Sequence, residues 1–236
     1  MIAKPRGARA NRLLAQLPDE AFERLQAHFE PHAFALGDIV YEAGQLVDYL
    51  YFPTTAIISL LHTMRDGDTV EMAVVGYEGA AGVASFMGGK SMPYRLIVQG
   101  GGESFRIRNG PVKSEFERGG AFHHGLLRYT QALIIQIAQT AVCNRHHTLE
   151  QQLCRWLLLT DDRTPGAKQI TMTHEMIAQM LGVRRAGVTA AAKHLSDLKL
   201  ISYTRGHIMF IDRAGIEKRV CECYQIVKLE YARLLG

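Results

Sequence analysis

The stretch MTHEMIAQMLGVRRAGVTAAAKHLSDLKLI, residues 172–201, decides the fold. It reads as two short helices joined by a tight turn at Gly182. Thr173 has the hydroxyl of an N-cap, and Glu175 puts an acid in the first turn, where the helix dipole favours it. Ile177, Met180 and Leu181 fall at i, i+3 and i+4 and give one apolar stripe. Gly182 stands where a helix end wants a left-handed residue, and Val183 is the apolar plug between the helices. In the second helix Val188, Ala191, Ala192 and Leu195 form the inward side, while Arg184, Arg185, Thr189 and Lys193 face outward. The small residues Ala186, Gly187 and Ala190 leave room for close approach to a groove. A basic, narrow helix N-terminus is what a helix-turn-helix protein presents to the major groove.

Working outward, Lys199 to Ile211 reads as strand, turn, strand, with Arg205-Gly206 at the tip, so the motif is of the winged kind. Residues 168–236 hold 11 of the 27 basic side chains and 6 of the 23 acidic ones. The positive excess therefore lies entirely in the C-terminal third, where phosphates would be met. The blander alternative is a helical hairpin with a solvated basic face.

The chain has 236 residues and is 47% hydrophobic, enough for one or two packed domains. Its first residues are basic and polar, with no secretory signal expected. The run Lys4, Arg6, Arg9, Arg12 reads as a disordered basic arm. The longest uncharged run, Tyr129 to Asn144, is too short and too rich in glutamine and threonine to span a bilayer. Cys143, Cys154, Cys221 and Cys223 lack zinc-finger spacing and read as free thiols of a cytoplasmic protein.

Residues 11–30 read as an amphipathic helical lead-in. Short β segments are predicted near 33–36, 39–42, 49–53, 56–64, 69–75, 94–99 and 103–108, with glycines at the bends and a hairpin at Asp66-Gly67. Such spacing suggests a small sandwich or jelly roll. From Gly119 to Thr160 a single long helix is predicted. Its apolar side chains cover more than one face, so it must be buried on two sides: one on the β domain, the other most simply on a second copy of itself. Leu126, Leu133, Ile137, Thr140 and Asn144 are the candidates for that dimer interface, a core helix in a monomer being the alternative. The segment Asp161–Gly166 (DDRTPG) reads as a hinge.

At this point the chain resembles the Crp/Fnr transcription regulators. The resemblance rests on LGDIVYEAGQLVDYLYFPTTAIISLL (36–61), VVGYEGAAGV (74–83), the central helix and ITMTHEMIAQMLGVRRAGVTAAAKHLSDLKLIS (170–202), and covers nearly the whole chain. It implies an α+β protein: a jelly-roll-like β-roll of the cyclic-nucleotide-binding type (residues 11–118), a dimerisation helix and hinge (119–162), and a winged helix-turn-helix domain (163–236). It also implies a homodimer on a palindromic site of double-stranded DNA, with RNA polymerase as a further partner. The recognition helix departs from the family's, which often reads DNA with an Arg-Glu pair and a second arginine one turn on. Here stand Arg185, Ala186 and Ala190, so a site unlike the common half-site is expected. Arg185 can still meet a guanine, Arg184 and Lys193 phosphates, and Thr189 a base. His174 sits where a phosphate contact is usual in the family, and Thr173 and Arg205 complete the expected DNA-binding set.

The departures are as specific as the match. Cyclic-AMP-binding members hold the ribose and phosphate with a Gly-Glu pair and an Arg-Ser pair. Here the first region is Gly79-Ala80-Ala81-Gly82 and the second Pro93-Tyr94-Arg95-Leu96. The carboxylate is missing, and the arginine is shifted by one residue, which on a strand turns it to the other face. Gly79, Ala80, Ala81, Gly82, Tyr94 and Arg95 thus mark an altered effector pocket, which argues against cyclic AMP in the usual pose. The N-terminal cysteine set of iron–sulfur members is also missing, so the cofactor is left unassigned.

Cys143 and His147 are an i, i+4 pair, but two or three such residues on a helix more often pack than bind, and no metal site is assigned. Cys221 and Cys223 would point apart on a helix and so not form a disulfide. His123 and His124 read as solvated. An enzyme is not expected: there is no nucleophile elbow, phosphate loop or HExxH, and the paired acids Asp161 and Asp162 fall in the hinge. The reading is a dimeric DNA-binding regulator. The alternative is a ligand-, metal- or redox-sensing module whose C-terminal domain mainly makes protein contacts.

Overall fold

The structure, a computed structural model, describes residues 7–164, 166 and 169–236. A short 3-10 turn (Ala8–Ala10) leads into helices α1 (Arg12–Ala15) and α2 (Asp19–Gln26), which break at Pro18. Lys4 and Arg6 of the expected basic arm lie outside the described residues. Arg9 is no part of a free arm: its guanidinium pairs with Asp19 at 2.6 Å, donates to the Leu17 carbonyl and stacks over Phe22.

Seven strands follow: β1 (Glu30–Phe34), β2 (Ile39–Tyr41), β3 (Tyr49–Pro53), β4 (Ile57–Thr63), β5 (Thr69–Val75), β6 (Arg95–Gly100) and β7 (Gly102–Arg108). They form two antiparallel sheets, β1-β7-β3 and β2-β6-β4-β5, packed as a β-roll. In β4, Ile57 to Leu61 are all buried, because that strand is central in its sheet and covered on both faces. The hairpin between β4 and β5 closes at Gly67 with φ +92°, a left-handed geometry that suits glycine.

Helix α3 (Asn109–Glu117) leads into α4 (Ala121–His146). The long helix expected to run on to Leu159 does not do so. His147 is extended, and Thr148 caps a new helix, α5 (Leu149–Asp162), through a reciprocal capping box with Gln151. The two orphan donors at a helix start are satisfied there, so the break is built into the sequence T-x-x-Q.

The C-terminal part comprises β8 (Ile170–Thr171), α6 (His174–Leu181), α7 (Arg185–Asp197), β9 (Ile201–Thr204), β10 (His207–Phe210), α8 (Arg213–Glu217) and α9 (Glu222–Leu235). Strand β10 pairs with both β8 and β9. Helix α9 packs along α4. That contact answers part of the apolar excess of α4: Leu126, Leu133 and Thr140, expected at a dimer interface, are buried inside this one chain. Ile137 is half-buried and Asn144 exposed. The open side of α4 is rotated by one residue and carries Leu127, Ile134 and Val142, which are 46%, 57% and 44% exposed.

The segment expected as a hinge is anchored rather than loose over its described residues. Asp161 and Asp162 finish α5 and both pair with Arg213. Arg163 is buried and donates to Glu78, Gln136 and the Leu159 carbonyl. No helix among the described residues is long and apolar enough to cross a membrane.

Candidate nucleic-acid interface

Each feature of the helix-turn-helix has a local cause. Thr173 Oγ1 accepts from the Met176 N–H and caps α6. Gly182 ends that helix at φ +65°. Ile177, Val188 and Leu195 are fully buried between the two helices. The wing turns at Arg205 and Gly206, both at positive φ (51° and 83°), the geometry of a two-residue turn between twisted strands.

On the outer side Arg184, the N-cap of α7, and Arg185, its first residue, are exposed, as are Lys193 and the wing-tip Arg205. Neighbouring arginines are neutralised locally: Arg219 meets Glu150, which also contacts the His194 ring, and Arg213 meets Asp161 and Asp162. Among the described residues, Arg184, Arg185, Lys193 and Arg205 fall outside such ion pairs, so their charge is available to a polyanion.

His174 and Thr189 sit with this set but are engaged in holding it. Thr189 Oγ1 donates to the Arg185 carbonyl and lies 3.0 Å from His174 Nδ1. The His174 ring stacks on Tyr203 of β9, with centroids 4.0 Å apart. One imidazole therefore ties α6 to the recognition helix and to the wing. Burial, and then the charge of Arg185, push its pKa below the ordinary value. Gly187, expected to leave room for DNA, faces inward instead: a Cβ there would come within 2.7 Å of Leu149 at the start of α5. Ala186 and Ala190 are the exposed small residues.

The motif is seated on the β-roll through α6 and its turn. Thr69 Oγ1 of β5 donates to the Gln179 carbonyl, and Gly182 lies against Val70. A cleft of about 700 Å³ runs between the tip of the β4–β5 hairpin and Arg184 and Arg185. The seat runs through α6 and its turn; Arg184 and Arg185 line the cleft opposite Asp68 and Thr69, and Ala186, Ala190 and Lys193 further along α7 are exposed.

The expected effector loop is packed rather than cradling. Ala80 and Ala81 are buried. A Cβ on Gly79 would meet the Tyr129 ring at 2.4 Å, and Tyr129 donates its hydroxyl to the Ala80 carbonyl. Gly82 (φ +99°) passes against the Tyr49 carbonyl. Arg95 is drawn to Glu42, 2.8 Å away, at a partly exposed position, and Tyr94 is half-buried beside it.

A β-roll followed by a long helix and a winged helix-turn-helix defines the architecture of a transcription regulator that carries its own DNA-binding motif. Residues 31–118 match the cyclic nucleotide-binding domain and residues 151–219 the Crp-like helix-turn-helix domain. The chain belongs to the Crp/Fnr family of transcription regulators. Among solved structures it is similar to FixK2 from Bradyrhizobium japonicum, with a TM-score of 0.71 and 14% identity over 82% of this chain and 98% of that one. A CRP-family transcriptional regulator from Thermus thermophilus gives 0.65, at 18% identity over 79% and 95%. The c-di-GMP responsive global regulator CLP of Xanthomonas campestris gives 0.64, at 14% identity over 82% and 99%. At such identities the likeness is one of fold. No curated protein matches the sequence.

Proposed function

We infer that this family member is a non-enzymatic, cytoplasmic homodimer that reads a two-fold DNA site and acts on RNA polymerase from there. The observation that carries the reading is the set Arg184, Arg185, Lys193 and Arg205, exposed and outside the local ion pairs at the start of α7 and the wing tip. Arg185 is the side chain assigned to a guanine edge, which an arginine fork meets with two hydrogen bonds. Arg184, Lys193 and Arg205 then contact phosphates, with Thr189 and His174 supporting the geometry. Two such helices must lie about one DNA turn, roughly 34 Å, apart.

The seam that would set this spacing is the open side of α4. Leu127, Gln131, Ile134, Ala138 and Ala141 recur at alternating steps of four and three, the pattern of a two-stranded helical seam. Ile137 and Asn144 flank it. The effector pocket is altered: Tyr129 fills the space beside Gly79, Ala80 stands where a carboxylate would hold a ribose, and Arg95 is engaged by Glu42. Cyclic AMP in the usual pose is not its ligand.

The test is selection of bound sites from random DNA by the full chain, followed by Arg185→Ala on the selected site. The variant is expected to lose about 5- to 150-fold in specific affinity, ~1–3 kcal/mol, with non-specific binding reduced far less. Equal discrimination between selected and random DNA by both proteins would remove the assignment.

A further inference from the structure

We propose that Cys143, His147, Cys221 and Cys223 form a tetrahedral site for a soft divalent cation, zinc foremost, which fastens the start of α9 to the end of α4. The two residue pairs are far apart in the sequence, and the fold brings them together. Their Sγ and ring-nitrogen atoms all lie within 4.8 Å of one another. Cys143 Sγ is 3.5 Å from Cys221 Sγ, and Cys223 Sγ is 3.6 Å from His147 Nδ1. Bond lengths of about 2.3 Å to sulfur and 2.0 Å to nitrogen in a tetrahedron give edges of roughly 3.6–3.8 Å. The Cys143–Cys221 and Cys223–His147 edges already match that length, and the other edges, none above 4.8 Å, reach it by closing at most about 1 Å.

The surroundings are those of a ligand set. Cys143 lies in the last turn of α4 and His147 is its C-cap; Cys221 is the N-cap of α9 and Cys223 its second residue. All four therefore sit on rigid helix ends, and Gln152 of α5 braces the Cys143 and His147 carbonyls from behind. His147 Nε2 faces a carboxylate oxygen of Glu222 at 3.3 Å, which leaves Nδ1 turned to the thiols. A carboxylate behind a metal-bound imidazole fixes the ring and its tautomer in this way.

The three cysteines are buried and form a small cluster apart from the main core. Ordinary packing would be served by alanine or valine. Zinc with three thiolates carries one net negative charge, and buried Arg155 offers a compensating positive charge. Its Nη1 donates to Thr140 Oγ1 on α4, one turn before Cys143, and its Nε has no hydrogen-bond partner. On loading, each bound thiol releases its proton to solvent while sulfur and nitrogen lone pairs fill the cation's four positions. No electron is transferred.

The site lies where α4 gives way to α5, the helix against which α7 packs. Metal loading would thereby fix the C-terminal domain on the dimer helix, independently of any ligand in the β-roll.

The experiment uses the full chain, purified under reductant, stripped with a chelator and titrated with Co²⁺. Expected are one cobalt per chain, the intense visible bands of a tetrahedral thiolate complex, and their stoichiometric loss on adding Zn²⁺. Cys154→Ser, which removes the buried thiol outside the cluster, leaves the titration unchanged. Glu222→Gln, an exposed change, weakens metal binding by about 10- to 100-fold without unfolding the chain. Absence of the cobalt bands from the wild-type chain overturns the site. So does a complete Cys143–Cys221 disulfide in freshly isolated protein, which would make the pair a redox device.

Discussion

Glu71 shows how one residue can set a pH dependence. It is buried on β5, and Ser59 Oγ lies 2.6 Å from both the Glu71 carboxyl and Gln99 Oε1. A hydroxyl has a single proton and cannot donate to both. A protonated Glu71 resolves the conflict by donating to Ser59, which donates to Gln99, whose amide donates to Thr160. Burial accordingly pushes the Glu71 pKa up to about 7, against the pull of Ser59, Arg155 and Arg163. A value raised on folding means that this contribution is complete below the ordinary value near 4.5 and is lost as pH rises through about 7. The loss should amount to about 3 kcal/mol at ~1.4 kcal/mol per unit. Glu71→Gln is expected to flatten the dependence of Tm on pH across that window and to gain on the wild type at its alkaline end. Parallel curves for the two proteins would show that Glu71 is charged throughout.

At the scale of elements, what was legible in the sequence follows from how local the signal is. The seven strands fall within three residues of expectation at each end, because glycine bends and apolar runs mark them without help from the rest of the chain. The capping residue of α6 and the left-handed turn at Gly182 were legible for the same reason. Helix α4 was not, in two respects. The capping box at Thr148 and Gln151 was present in the sequence and outweighs the apolar continuity that suggested one helix. The phase of its open face also differs by a single residue, about 100° of rotation. An apolar arc wide enough to serve both α9 and a partner gives no local clue to which part is which. The thiol cluster is still less local, since Cys143 and Cys221 are 78 residues apart. If the open face is the dimer seam, Ile134→Asp should yield a folded monomer by sedimentation or light scattering. A variant that sediments as the wild type would move the seam elsewhere.

For the whole molecule, the buried pair of Glu78 and Arg163 joins the loop before Gly79 to the end of α5. The two side chains are 2.7 Å apart, and Arg163 also donates to Gln136 of α4 and lies over the Tyr231 ring of α9. Removing one member of a buried pair leaves the other charge uncompensated, at about 3–5 kcal/mol. Arg163→Met should lower the unfolding free energy from denaturant titration by that much, and adding Glu78→Gln should recover part of it. A single variant as stable as the wild type would show the pair to be dispensable.

The last turn of α9 reaches the lead-in at the other end of the chain, where the Gln16 amide donates to the Leu235 carbonyl. With α9 laid along α4, the DNA reader is an insertion between two stretches of the sensor body, not a pendant on one strand. A body held by two covalent tethers cannot swivel freely. Two tethers leave a door-like swing, about the line joining the exit after Asp162 and the return before Cys221, as the least hindered rotation, and the contact of Thr69 with Gln179 is the latch such a swing would have to release.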